Sequence, residues 1–330
     1  VADGWRPRLS VLRASAVDGT WMEGGEEALR ADIATWDEGT VMRARGMLQM
    51  SLMRGSVLSP FWVKARPFAI DDLEDAALFR TTDGGKSWSL RYQARDTSVF
   101  LDAITFWDDA NGIALGDPMG GRFFLLVTRD GGETWREPAF DERPIAEPGE
   151  AAFAASGSSL LAVGSADSLV AWIGSGGSVA RLHRSVNRLR QWVAYDTPIR
   201  HGESAAGIFS VAAIPGQGLM VVGGHYAQDD STRDNAATTR EGPQWRLIDR
   251  APPRGYRSGV AFVQLADGAR IGIAVGPAGS DISHDGGMEW GAFDSVGYHA
   301  VRASRDGIFY ASGSGGRVGR FDVASKRAPR

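Results

Sequence analysis

Most of this chain alternates short apolar runs with glycine and polar turns. A first run opens each unit: LDAITFW (Leu101–Trp107), AAFAAS (Ala151–Ser156), IFSVAAI (Ile208–Ile214), SGVAFVQL (Ser258–Leu265) and HAVRAS (His299–Ser304). A second, glycine-bearing run follows: GIALG, LLAVGS, LMVVGG, IGIAVG and IFYASG. A third run leads into a polar turn. Brief apolar segments punctuated by Gly are the expected pattern of buried strands. The spacing therefore predicts many short strands and few helices.

The polar turns repeat. RTTDGGKSW at Arg80–Trp88 returns as VTRDGGETW at Val127–Trp135 and as ISHDGGMEW at Ile282–Trp290. Asp-Gly-Gly supplies residues that tolerate positive φ, as a tight hairpin requires. The Asp carboxylate can accept main-chain N–H groups inside the turn, and the closing Trp returns the chain to apolar packing. Asp83, Trp88, Asp130, Trp135, Asp285 and Trp290 are thus assigned structural roles. Weaker copies occur at RSVNRLRQW (Arg184–Trp192) and TTREGPQW (Thr238–Trp245). The anchors Trp88, Trp135, Trp192, Trp245 and Trp290 are separated by 47, 57, 53 and 45 residues. Repeats of that length suit four-stranded propeller blades.

Five anchored units cover roughly residues 55–295, and a last blade is expected over 296–323. Residues 1–55 are expected to hold a degenerate first blade and a ring-closing N-terminal strand, within ADGWRPRL. The expectation is one all-β domain over 1–330, a seven-bladed β-propeller with four-stranded blades. Residues 20–75 fit least well: five of the eight Met fall there, Met42, Met47, Met50 and Met53 among them read as core filler, and Asp71–Asp75 reads as a solvated acidic loop.

Composition agrees and excludes several functions. The 330 residues include 43 Gly and 11 Trp, a mixture suited to strands joined by Gly-rich turns. A net charge of −4 leaves no basic footprint for nucleic acid. No continuous apolar stretch is long enough for a membrane helix. Cys is absent, which removes disulfides, thiol nucleophiles and Cys-ligated metals. The five His never fall at zinc-ligand spacing. No Gly-x-Gly-x-x-Gly opens a helix after a strand, so a dinucleotide cofactor is not expected. A chain beginning Val1-Ala2-Asp3 reads as a mature product of a periplasmic or secreted protein.

The turns resemble the BNR or Asp-box repeats of sialidases, sortilin-type receptors and xyloglucanases. Longer strings carry a narrower resemblance: FLDAITFWDDANGIALGDPMGGRF (Phe100–Phe123), TPIRHGESAAGIFSVA (Thr197–Ala212), VVGGHY (Val221–Tyr226), DNAATT (Asp234–Thr239), GYRSGVAFV (Gly255–Val263) and AVGPAGSDISHDGG (Ala274–Gly287). Over roughly residues 78–322 the chain is similar to seven-bladed propellers related to the photosystem II stability/assembly factor. Bacterial members of that group are often labelled oxidoreductases. The resemblance implies a protein- or peptide-binding assembly factor. The first unit and the turn at Asn187–Arg190 depart from the pattern.

Polar residues in the strand-opening strings mark where chemistry could sit. Asp102, Asp117, Arg122, Arg200, His201, Tyr226, Asp234, Asn235, Arg257, Asp281 and His299 are expected to converge on a funnel at one rim. Each also has a plainer reading. Arg200–Glu203 could form a local ion pair in a surface turn, and Asp117-Pro118 could start a turn. Arg257 could bridge neighbouring blades, His299 could be a satisfied channel histidine, and Asp234-Asn235 could cap a loop. No catalytic residue, metal or cofactor is assigned. The expected function is non-enzymatic binding of a protein or peptide client by a monomer. The alternative is a glycan-binding or glycan-hydrolysing propeller of the sialidase kind, though an arginine set around a Tyr nucleophile is not evident. An oxidoreductase rests on the family label alone.

Overall fold

The structure is a computed structural model. It describes residues 76–80, 89–165, 167–240, 244–304, 307–314 and 317–323, with the backbone of strands β1 (Ser10–Ala14), β2 (Trp21–Met22) and β3 (Phe61–Lys64). Almost every regular element is a strand; a 3₁₀ turn at Phe140–Glu142 is the one helical element among the described residues.

Six antiparallel sheets follow one another along the chain. The first joins β3, β4 (Ala77–Arg80) and β5 (Ser89–Gln93). The second joins β6 (Leu101–Phe106), β7 (Gly112–Met119) and β8 (Arg122–Thr128), and a bridge from Val127 to Arg136 begins a fourth strand. The third runs β10 (Leu160–Val163), β11 (Val170–Gly174), β13 (Arg181–Val186) and β14 (Gln191–Asp196). The fourth runs β15 (Glu203–Ile214), β16 (Gly218–His225), β17 (Ala236–Thr239) and β18 (Trp245–Leu247). Two short strands, β12 (Gly176–Gly177) and β9 (Glu150–Ala151), extend it beyond β15. The fifth runs β19 (Gly259–Gln264), β20 (Arg270–Gly276), β21 (Gly279–Ser283) and β22 (Gly291–Asp294). The sixth runs β23 (Ala300–Ala303), β24 (Ile308–Gly313) and β25 (Arg317–Asp322), and then β1 and β2. The pairing of Ser10 with Arg320 brings the start of the chain onto its end.

Apolar residues alternate between the two faces of each sheet, and both faces are buried. On β7 and β8, Ile113, Leu115, Phe123 and Leu125 join one core cluster with β10 and β11. Ala114, Phe124 and Leu126, between them in sequence, join another with Ala76 and Leu78 of the first sheet. This period-2 division explains why the strands read as continuous apolar runs. Further cores lie between the third and fourth sheets, the fourth and fifth, and the fifth and sixth. The first strands lie beside one another in the same order: β6 by β10, β10 by β15, β15 by β19, β19 by β23. Sheets stacked face to face in chain order, with first strands innermost, are the blades of a β-propeller.

The Asp-box turns are built alike in two blades. Thr128 Oγ1 and Ser283 Oγ each accept the N–H of the glycine four residues on, Gly132 and Gly287, at 2.8 Å. Asp130 and Asp285 each accept the N–H four residues on, from Thr134 at 3.0 Å and Glu289 at 3.1 Å. Trp135 and Trp290 then meet Phe106 and Phe262 of their own innermost strands edge-on, at 5.9 and 6.0 Å. Those Phe rings lie over glycines directly opposite them in the ladder, Gly112 and Gly272. A Cβ on either glycine would stand 2.5 or 2.4 Å from the ring. Asp83 and Trp88 of the first Asp box lie outside the described residues, as do residues 23–60 and with them most of the expected first blade.

One strand assignment is corrected. AAFAAS does not open the third blade, because only Glu150–Ala151 is paired and β10, within LLAVGS, is innermost. The string instead crosses toward the fourth sheet, where Phe153 stacks on Phe209 at 3.9 Å. Its apolar run mimics a strand although only Ala152 and Ser156 within it are buried. Asn187, Arg188 and Leu189, in the degenerate turn, adopt positive φ without glycine, and Leu189 gains a place in the core.

Candidate functional site

Antiparallel blades have two ends. The Asp-box turns join third and fourth strands at one end. The opposite end carries the links between second and third strands and between blades. Every candidate from the funnel set falls at or near this opposite end, but the structure sorts the residues into separate groups.

The first group is Asp102 and Asp117. Each is the extra residue of a β-bulge: Leu101 and Ala103 face Gly116 and Leu115, while Gly116 and Pro118 face Phe124 and Phe123. Bulges re-aim side chains, and here they bring two carboxyl groups into mutual influence. Burial first, and then the charge of Asp117, push the Asp102 carboxyl well above the usual range. Burial likewise raises Asp117, against the lowering effect of the Ala152 N–H that donates to it. Asp102 Oδ2 is buried with no hydrogen-bond partner among the described residues. Asp117-Pro118 therefore lies within β7 and does not start a turn.

The second group staples one connecting loop. Arg257 and Asp281 are completely buried. Arg257 donates through Nε to Asp281 Oδ2 at 2.8 Å and to the carbonyls of Tyr256 and Arg254. Arg254 donates to the other carboxylate oxygen at 2.7 Å. Burial lowers the Arg257 guanidinium, and the Asp281 charge opposes that. Asn235, also buried, donates to the carbonyls of Pro253 and Gly255. These three residues belong to the framework and not to an open funnel, because solvent does not reach them.

The third group forms an exposed rim at the start of β15. Arg200 donates to Gln228 Oε1 at 2.8 Å and to Glu203 Oε1 at 3.0 Å, the ion pair expected from sequence. His225 meets the other Glu203 oxygen at 3.2 Å through Nε2. Its Nδ1 accepts the Ala227 N–H, so the proton sits on Nε2. Hydrogen bonds from Arg200 lower the Glu203 carboxyl further. Tyr226 is exposed and leans edge-on against Phe209. The Asp234 carbonyl accepts the Arg200 N–H, which ties the rim together, and His201 donates to its neighbour Ile199.

Arg122 and His299 stand apart. Arg122 bonds the carbonyls of Asp141 and Arg143 and lies over the exposed Phe140 ring. His299 meets Ser314 Oγ at 2.8 Å, while its carbonyl accepts from Ser258.

Sequence reading missed one further cluster. Glu150 is buried and accepts from Ser175, Arg181 and His183, and Arg181 also reaches Glu147. Burial alone would raise the carboxyl, but the bonds from His183, Arg181 and Ser175 outweigh it and hold Glu150 at about 2. The partners come from strands that meet only in the fold. The one available signal was a Glu beginning a string of small residues, which is too weak to select.

A BNR/Asp-box repeat model matches residues 79–90. No curated protein sequence matches the chain. Among solved structures, the chain is similar to an α-L-arabinofuranosidase of Fusarium graminearum in complex with an iminosugar inhibitor. The TM-score is 0.50 at 12% identity, over 80% of this chain and 90% of that one. The protein is thus a β-propeller built on BNR/Asp-box repeats. It is also similar to YCF48 from Cyanidioschyzon merolae, with a TM-score of 0.48 at 18% identity over 75% of this chain and 74% of the other. A structure of YCF48 bound to D1 peptide gives 0.44 and 16%, over 76% and 87%.

Proposed function

We propose that the protein is a non-enzymatic propeller that grips an extended peptide segment of a client protein. The segment lies across the end opposite the Asp boxes, and the protein serves as an assembly or stability factor in the periplasm or outside the cell. The observation that carries this reading is the rim around β15. There an exposed Tyr226, backed by the buried Phe209, stands beside an exposed carboxylate, Glu203, which the largely enclosed Arg200 holds in place. An aromatic anchor ringed by charged groups is the usual composition of a protein-binding hot spot.

Hydrolysis of a glycosidic bond ordinarily needs two carboxyl groups open to one substrate. At this end of the described residues Glu150 and Asp281 are enclosed by their own cations, and Asp102 is buried. Glu203 is exposed but engaged by Arg200 and His225. The enclosure or engagement of these four carboxyls supports the binding reading, while Asp229 and Asp230 at the same end are exposed and Asp234 is partly so.

The test is fluorescence polarisation against a library of labelled extended peptides, with wild type, Tyr226→Ala and Arg200→Ala. A selected peptide should bind wild type and lose about thirtyfold in affinity with Tyr226→Ala, the roughly 2 kcal/mol expected of a hot-spot aromatic. Equal binding by both variants removes this rim as the contact. Turnover of fluorogenic glycosides that disappears in Glu203→Gln would establish the glycan reading instead.

A further inference from the structure

Arg302 lies on β23, an innermost strand, with Val301 and Ala303 on either side turned into the core between the fifth and sixth sheets. Strand alternation therefore aims Arg302 the other way. Its guanidinium donates to the Val301 carbonyl at 2.9 Å and to the carbonyl of Gly157 at 3.2 Å. Gly157 precedes the third sheet, so the side chain spans the hub past the fourth and fifth.

Two other enclosed arginines are neutralised: Arg257 by Asp281, and Arg181 by Glu150 and Glu147. Arg302 forms no ion pair with any described residue. Two main-chain carbonyls use two of its five N–H donors, and its side chain remains partly open to solvent. Crowding by protein lowers the group to about 10, the direction expected for a cation without a counter-charge. A partly buried cation without an acid partner is costly to the extent that protein replaces its water. The planar fork of a guanidinium pairs best with oxyanions.

We propose that the hub of this propeller binds a small oxyanion on Arg302, between the Gly157 segment and β23. The site does not depend on the peptide reading of the rim. The ligand closes the charge balance of the hub and ties the last blade to the third, so it stabilises the closed ring by mass action.

The experiment is thermal unfolding of the full chain in inorganic phosphate at constant ionic strength, with chloride making up the balance. Acetate is run in parallel to separate a tetrahedral oxyanion from a carboxylate. Wild type should gain several degrees in Tm along a saturating curve in at least one of the two, and Arg302→Met should lose the gain. Arg200→Ala, at the rim, should keep it. If Arg302→Met does not fold, Arg302→Lys decides the matter: it keeps the charge without the fork and should need at least tenfold more anion for half the effect. Absence of a saturating gain in wild type overturns the proposal. So does a gain that survives unchanged in Arg302→Met or, where that variant is unfolded, in Arg302→Lys.

Discussion

The Asp117 carboxylate accepts the main-chain N–H of Ala152 at 3.1 Å, joining the end of β7 to the segment that leads toward the next blade. The bond exists because a bulge turns Asp117 out of the ladder, and a second bulge sets Asp102 beside it. Two carboxyl groups in so enclosed a place cannot both ionise cheaply.

Replacing Asp102 with Asn should therefore stabilise the protein at neutral pH. The folded-state carboxyl of Asp102 titrates well above its unfolded value of 3.8, so stability is lost as pH rises from that value through the raised one. Asn cannot ionise, so Asp102→Asn should be more stable than wild type at pH 7. The gain should vanish below pH 4. Urea denaturation at both pH values checks this, and a loss of stability at pH 7 would contradict it.

Glu150 has the opposite sign. Its carboxyl is held at about 2 in the fold, below the ordinary 4.5, so its contribution is complete above the unfolded value and lost as pH falls from 4.5 through 2. The loss across that window should be up to roughly 3 kcal/mol. Glu150→Gln should be less stable at pH 7, with Arg181 left to Glu147 alone, and its acid limb should be flatter than that of wild type. Tm measured in steps of pH reads both effects.

Asp281→Ala leaves Arg257 buried without its carboxylate and should cost about 3–5 kcal/mol. Removing both charges in Arg257→Met/Asp281→Leu should recover a large part of that loss, because the cost lies in the stranded cation. Equal damage from the single and double variants would mean that the hydrogen bonds to Tyr256 and Arg254, and not the charge, hold the loop.

Gly272→Ala tests the packing unit of the Asp-box blades. The new Cβ would stand 2.4 Å from the Phe262 ring, which is itself held edge-on by Trp290. Overpacking of this kind costs about 1–3 kcal/mol. Phe262→Leu should cost less in the Gly272→Ala background than in wild type, and a double-mutant cycle in urea measures the coupling.

The repeat itself was legible before any coordinates. Ser/Thr, Asp and Gly at fixed offsets dictate a hairpin whose hydrogen bonds depend only on residues within it, so Thr128–Thr134 and Ser283–Glu289 could be read as one motif. Apolar runs bounded by Gly likewise announced strands buried on both faces. AAFAAS misleads because a short apolar segment that packs Phe153 on a neighbouring blade and one that pairs in a sheet leave the same apolar run in the sequence.

The site was a different matter. Polar residues at strand openings could be placed together at the end of the blades opposite the Asp boxes, since the direction of each strand follows from its turns. Burial, however, depends on what other blades bring. Arg257 and Arg200 look alike as residues preceding a strand, yet one is sealed against a buried Asp281 and the other holds an exposed Glu203. Glu150 and His183, 33 residues apart, become partners only when β13 passes the β9 ribbon. Local turn chemistry fixes hairpins. Charge state and exposure are set by long-range neighbours, and those the closed ring alone supplies.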